Sequence, residues 1–199
     1  MAKIDSYEWY LKNTLKEELY YQIPIYQRPY QWTEENCEKL LDDLFSSYEY
    51  YRESDYFCGS LVLVKSDPNS KTETYDIVDG QQRLSTFILL AKVLADLYSE
   101  HLTEESKDYL QESLITKYGK KDRLNFSAVG FNSKKDFQYA LTSFNDAPVS
   151  NAKNNYLKNA ICLKTILKRK RLKTLTISLS GCILRSSLSP SLAPMQTRR

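Results

Sequence analysis

Apolar positions recur every three or four residues in some stretches of the chain and alternate with polar ones in others, and this rhythm divides it into elements. Cys37, Leu40, Leu41, Leu44, Phe45 and Tyr48 form one helical stripe, preceded by Thr33 as N-cap and by Glu34 and Glu35 in a first turn that favours carboxylates. Residues 4–20 mix apolar and charged positions and predict a helix. Pro24 and Pro29 push Ile23 and Arg28 away from helical angles, so Tyr21–Ile25 is a short extended segment and Tyr26–Trp32 an extended or turning one. Phe57–Val64 and Thr72–Val78 read as strands around a turn at Asp67-Pro68-Asn69-Ser70, giving an antiparallel hairpin. From Leu84 to Tyr98 apolar residues surround the helix on almost all sides, which predicts a buried core helix. Thr103 caps a helix running to about Lys117, and Leu124-Asn125-Phe126 is a short strand. Ser133 caps a helix with Phe137, Ala140, Leu141 and Phe144 on one face. Pro148 ends it, and Asn155–Leu167 forms a last helix.

Composition adds little until it is divided along the chain. With 199 residues, 42% of them hydrophobic, the chain can bury a core. No run of about 18 apolar residues predicts a membrane span, and the N-terminus has no secretory pattern. Cys37, Cys58, Cys162 and Cys182 lie far apart and His101 is the sole histidine, so a zinc site is not expected and reduced, cytoplasmic thiols are. Residues 1–146 hold 17 Lys/Arg against all 25 Asp/Glu, a net of −8, whereas 147–199 hold 11 Lys/Arg and no acid. Lys168-Arg169-Lys170-Arg171 is a basic run, which a solvated helix end explains as simply as nucleic-acid binding. The Ser/Leu/Pro-rich tail beyond it has no aromatic residue.

Candidate chemistry gathers at Asp79-Gly80-Gln81-Gln82-Arg83, between a strand and the buried helix. Gly80 admits backbone angles closed to other residues. The first amides of the following helix have no intrahelical partner and favour an anion. Arg83 can present a bidentate guanidinium to a phosphate, and Gln81 and Gln82 can donate and accept without adding charge. Asp79 could orient Arg83, hold a metal ion or contact a ribose hydroxyl. A plain strand-to-helix turn with Arg83 in a structural ion pair accounts for the spacing equally well. In the second constellation, Ile23 to Trp32, Gln27 and Arg28 could line an anion site. Tyr26, Tyr30 and Trp32 could stack on a base, or simply pack between helices.

Ile23-Pro24-Ile25-Tyr26-Gln27-Arg28-Pro29-Tyr30-Gln31-Trp32, then Phe57-Cys58-Gly59-Ser60-Leu61-Val62-Leu63, then Ile77-Val78-Asp79-Gly80-Gln81-Gln82-Arg83-Leu84-Ser85-Thr86, in this order and spacing, resemble the N-terminal domain of GmrSD-type DNA-restriction proteins. The resemblance covers about residues 4–165. It implies an α+β fold with a small mixed sheet of ParB/sulfiredoxin-like type, in which a Gly-x-x-Arg turn binds nucleotide phosphates; Gly80-Gln81-Gln82-Arg83 falls on that turn. It further implies nucleoside-triphosphate binding and hydrolysis coupled to cutting modified or foreign DNA, the cut being made by an HNH-type nuclease domain or subunit. On this reading Gln27, Arg28, Gly80, Gln81, Gln82 and Arg83 bind the nucleotide. Asp79, Gln81 or Gln82 positions the attacking water, and Arg83 stabilises the developing charge. Mg²⁺ would accompany the triphosphate, although no metal ligand set is legible, and self-association stays open. One histidine cannot build an HNH site, and no Walker-type loop is present. The expected organisation is a nucleotide-binding core over 1–100, a helical extension over 101–167 and an atypical basic tail over 168–199. Family domains continue with a further strand and an Asn-rich turn, neither visible after Leu167. The tail therefore reads as frame-shifted, truncated or disordered, or as a basic DNA-gripping arm. The rival functions are a non-enzymatic DNA-binding module and an inactive fragment.

Overall fold

The computed structural model describes residues 5–16, 19–50, 55–67, 73–116, 121–127, 131–146, 154–169 and 182–188. In chain order the elements are β1 (Asp5–Tyr10), α1 (Leu11–Thr14), β2 (Leu19–Ile23), α2 (Glu34–Tyr50), β3 (Tyr56–Lys65), β4 (Glu73–Asp79), α3 (Gln81–Tyr98), α4 (Glu104–Leu114), β5 (Leu124–Phe126), α5 (Phe131–Ser143), α6 (Asn155–Arg169) and β6 (Cys182–Leu188). The class is mixed α+β, as expected, and a strand-turn-helix with Gly-x-x-Arg at the turn is compatible with the ParB/sulfiredoxin-like type. The Pro68–Ser70 part of the predicted turn, Pro148, the end of the basic run and residues 189–199 lie outside the described residues.

The strands form one mixed sheet in the order β1-β6-β3-β4-β2-β5. The β3/β4 hairpin is antiparallel, pairing Val62 with Asp79 and Leu63 with Ile77. β2 runs parallel to β4 and to β5, so the chain leaves β2, β4 and β5 at one common edge. Open sheets place ligands beyond the carboxyl ends of parallel strands, and this edge is where the Gly80 turn and the Pro24–Pro29 segment meet.

One face of the sheet is apolar. Leu19, Tyr21 and Ile23 of β2, Leu61 and Leu63 of β3, Tyr75 and Ile77 of β4, and Leu124 and Phe126 of β5 are all buried, at alternate positions as a pleated strand requires. The opposite face is partly solvated; there Gln22 Nε2 donates to Asp76 Oδ1 at 3.2 Å and Ser66 Oγ to the same oxygen at 2.9 Å. α3 is buried along most of its circumference, as its composition predicts. It packs against α4, α5 and α6, and a single hydrophobic cluster joins sheet and helices. The predicted cap of α4 is present, with Thr103 Oγ1 accepting the Ser106 N–H. At α2 the Asn36 side chain accepts both the N–H and the hydroxyl of Thr33.

Three expectations are overturned. Residues 4–20 are not one helix but β1, the single turn α1 and the start of β2. Strand propensity depends on which neighbours cover the pleat, and the partners of this segment are β6, β4 and β5, all distant in sequence. α5 begins at Phe131, so Ser133 lies inside its first turn rather than capping it. A strand does follow α6: residues 182–188 pair antiparallel with β1 and parallel with β3.

A buried arginine ties the sheet to the helices. Arg123 is fully enclosed; its guanidinium donates to the carbonyls of Glu112, near the end of α4, and of Lys16 and Leu19, which lead into β2. Carbonyls near a helix C-terminus lack intrahelical donors, and a planar fork of five N–H groups can serve several at once.

Candidate functional site

At the end of β4 the chain reverses through Gly80, with φ +93° and ψ 3°. A Cβ there would lie 2.8 Å from the Ser60 carbonyl oxygen and 2.9 Å from Leu61 Cδ1. Both the left-handed backbone and the close approach of β3 therefore require glycine. The Gly80 carbonyl accepts the Leu84 N–H at 3.0 Å and starts α3. No side chain caps this helix. Among the described residues the amides of Gln81, Gln82 and Arg83 have no acceptor, so they meet the condition for anion binding at a helix start.

Arg83 extends over β3. Its Nη2 donates to the Ser60 carbonyl at 2.6 Å and lies 3.7 Å from Asp79 Oδ2. The guanidinium rests on Gly59, φ +107°, where an added Cβ would fall 1.5 Å from Nη1. Gly59 thus leaves open the berth that the arginine fills. With Arg83 28% and Asp79 68% exposed, their ion pair orients the guanidinium more than it stabilises the fold.

On the other side of the turn the Pro24–Trp32 segment is held by side-chain amides. Gln27 Nε2 donates to Ile77 O at 3.2 Å and to Val78 O at 2.7 Å. Gln81 Nε2 donates to Arg28 O at 2.8 Å. Gln82 is buried: its Oε1 accepts the N–H of Gln31 at 2.8 Å and of Trp32 at 3.3 Å, and its Nε2 donates to Pro29 O. Segment and strands enclose a cleft of about 240 Å³ whose lining includes Gln27, Arg28 and the buried Gln81. The Arg28 side chain is exposed.

A buried polar chain supports this arrangement. Asn159 Nδ2 donates to Tyr30 Oη at 2.9 Å and to Trp32 O at 2.8 Å. Thr86 gives its proton to Gln82 O at 2.8 Å, which leaves Tyr30 as the donor in the 2.7 Å contact between Tyr30 Oη and Thr86 Oγ1. Tyr30 stacks on Tyr156 with ring centroids 4.1 Å apart. Burial pushes both phenols well above the ordinary tyrosine range, so they act as neutral hydrogen-bonding groups. Of the three aromatics considered for base stacking, Tyr30 is core, Trp32 packs against the core and Tyr26 stands out at 68% exposure.

The family model of the GmrSD restriction endonuclease N-terminal domain matches residues 10–190. The chain belongs to the GmrSD family. It is thereby a module of a DNA-restriction system. No curated protein matches it. The match continues past α6 and takes in β6, in a stretch where the sequence predicts no element.

Within this GmrSD domain the six residues expected to bind nucleotide divide into three groups. Gly80 and Arg83 gather with Asp79 on the β3 side. Gln27, Arg28 and Gln81 line the cleft on the β2 side. Gln82 faces inward and holds residues 29–32. Gly59, Ser60, Ser133, Tyr156, Asn155 and Asn159 complete the surroundings, and the sequence assigns none of them a role at the site. Gly59 carries a usable signal, because glycine inside a strand marks close approach of another group. Asn155, whose Nδ2 donates to Tyr30 O at 3.3 Å, and Asn159 are amides four residues apart on a largely buried helix. Cys37, Cys58 and Cys162 are buried and none of them is in a disulfide among the described residues. His101 is exposed in the turn after α3. Among the described residues no His/Cys/Asp/Glu group could hold a metal ion, and no helix is long and apolar enough to cross a membrane.

Proposed function

We propose that this GmrSD-family domain binds a nucleoside triphosphate at the mouth of α3 and hydrolyses it, and that this regulates cutting of modified or foreign DNA by an HNH-type nuclease partner. The observation that carries the reading is the turn itself: left-handed Gly80, a helix start that no side chain caps among the described residues, and the Arg83 guanidinium beside it. Free N–H groups and a nearby guanidinium supply the fixed positive field that a phosphate chain requires.

In this reading the amides of Gln81, Gln82 and Arg83 hold phosphate oxygens, and Arg83 neutralises charge as the terminal phosphoryl group departs. Gln81 keeps an amide oxygen that can orient water while its Nε2 stays on Arg28 O. The Gln82 side chain acts by shaping the segment rather than by touching phosphate. Asp79, exposed and 3.7 Å from Arg83, orients the guanidinium. A Mg²⁺ carried by the triphosphate fits one exposed carboxylate such as Asp79, and it would screen charge between phosphate oxygens.

The second reading is that Arg28 and Arg83 hold DNA backbone phosphates without turnover; the exposure of Arg28 favours it. Calorimetry with nucleoside triphosphates and with duplex DNA, paired with phosphate-release assays, separates the two. The first reading expects triphosphate binding and turnover that vanish in Arg83→Ala. Absence of triphosphate binding, with DNA binding lost in Arg28→Ala and Arg83→Ala, would overturn it in favour of the second. A chain that binds neither ligand is an inactive module.

A further inference from the structure

We infer that the cleft between the Pro24–Pro29 segment, β5 and the start of α5 is a heterocycle subsite, receiving the base of a nucleotide whose phosphates lie on the α3 turn. This rests on the function proposed above and assigns a second, separate part of the ligand.

Pockets for drug-sized ligands run to about 300–1,000 Å³, whereas this cleft holds about 240 Å³. It admits one ring system, not a whole nucleotide, so phosphates must lie outside it. Ile23, Phe126 and Tyr156 are buried side chains that give the cleft an apolar, largely aromatic floor. Phe126 and Tyr156 meet edge to face, with centroids 6.5 Å apart and an interplanar angle of 84°. The lining is also polar in part. Gln27 and Gln81 both commit Nε2 to backbone carbonyls, which leaves each amide oxygen as an acceptor. Ser133, in the first turn of α5, adds a hydroxyl. An apolar floor with acceptors at its edge suits a planar ring that carries N–H donors on its rim.

Gln81 belongs to both places: its side chain borders the cleft, and its backbone amide is one of the three at the helix mouth. Gln27, also in the lining, bonds the last carbonyls of β4 before the turn. Gln81 is therefore the residue at which cleft and turn adjoin.

The test compares a nucleoside triphosphate with inorganic tripolyphosphate, which offers the same anion without a ring. Wild-type protein should bind the nucleotide at least about tenfold more tightly than tripolyphosphate; equal affinities would overturn the subsite. Ser133→Phe, which pushes a ring into the cleft from α5, should weaken the nucleotide about tenfold and leave tripolyphosphate unchanged. Unchanged binding of both ligands, or equal weakening of both, in a variant that melts like wild type counts against the subsite. If Ser133→Phe does not fold, the wild-type comparison decides alone. Arg83→Ala should weaken both ligands together. Wild-type protein that binds neither ligand would sink the phosphate reading itself, and the subsite with it, which is distinguishable from loss of ring preference.

Discussion

Replacing Gln82 by leucine keeps most of the side-chain volume and removes its three hydrogen bonds to the backbone of residues 29–32. The bond from Gln31 N–H is short at 2.8 Å, and those involving Trp32 N–H and Pro29 O are each 3.3 Å. A hydrogen bond contributes a net of about 0.5–1.5 kcal/mol, and a buried group left without a partner costs about 1–3 kcal/mol. Gln82 is only 8% exposed and Trp32 is half-buried, whereas Gln31 is exposed and can recover water. The loss for Gln82→Leu is therefore about 2–3 kcal/mol, weighted towards the shorter bond. Gln82→Ala should cost about 1 kcal/mol more, because it also removes a buried methylene. For a chain of this size the leucine variant should melt roughly 4–12 °C lower. The assay is urea denaturation followed by two probes, with unchanged slope so that the midpoint reports stability, and limited proteolysis should show earlier cleavage between residues 24 and 32. Should Gln82→Leu fall within about 0.5 kcal/mol of wild type with the cleavage pattern unchanged, the amide would not be what holds this segment.

Gly80→Ala must place a side chain at φ +93° and 2.8 Å from the Ser60 carbonyl; a loss of about 2–4 kcal/mol in denaturation is expected, and a neutral result would contradict the turn geometry. Gly59→Ala meets the Arg83 guanidinium directly, so it should reduce triphosphate binding about as far as Arg83→Ala does, which calorimetry on both variants can compare. Arg123→Met strips the donors from three buried or partly buried carbonyls and should lower stability by about 3 kcal/mol or more in equilibrium unfolding. Burial pushes the Cys37 thiol up from 9.0 to about 12 and the Cys162 thiol to about 11. Unfolded thiols ionise first, so this contribution to stability is intact below pH 9 and is lost as pH rises towards 11–12. Urea midpoints from pH 7 to 10.5 should fall above pH 9, and Cys37→Ala should flatten the fall.

Periodicity alone places α2, α3, α4 and α6 and the β3/β4 hairpin, because each carries its own apolar pattern. The Gly80 turn is equally legible: a glycine between a β-branched strand and an apolar helix admits few other backbones. β1, α1 and β2 are not legible over residues 4–20, because aromatic and charged residues there suit a helix or a strand until their sheet partners are known. β6 is hidden for the same reason, since Cys182-Ile183-Leu184-Arg185-Ser186-Ser187-Leu188 becomes a strand only between β1 and β3.

At the site, the residue types for an anion cradle stand in the sequence, with glycine for the turn and arginine one turn into the helix. Which way each side chain faces does not. Gln81 and Gln82 are adjacent, chemically identical and both buried, yet Gln81 lines the cleft and bonds Arg28 O while Gln82 holds the backbone groups of Pro29, Gln31 and Trp32. Local spacing determined that a strand-to-helix turn with glycine at its start and arginine one turn in exists. Only tertiary structure decided that Arg83 lies across Gly59 and that Arg28 flanks a separate cleft, because those positions depend on β3 and β2 flanking β4, an adjacency set by long-range pairing and not by neighbours along the chain.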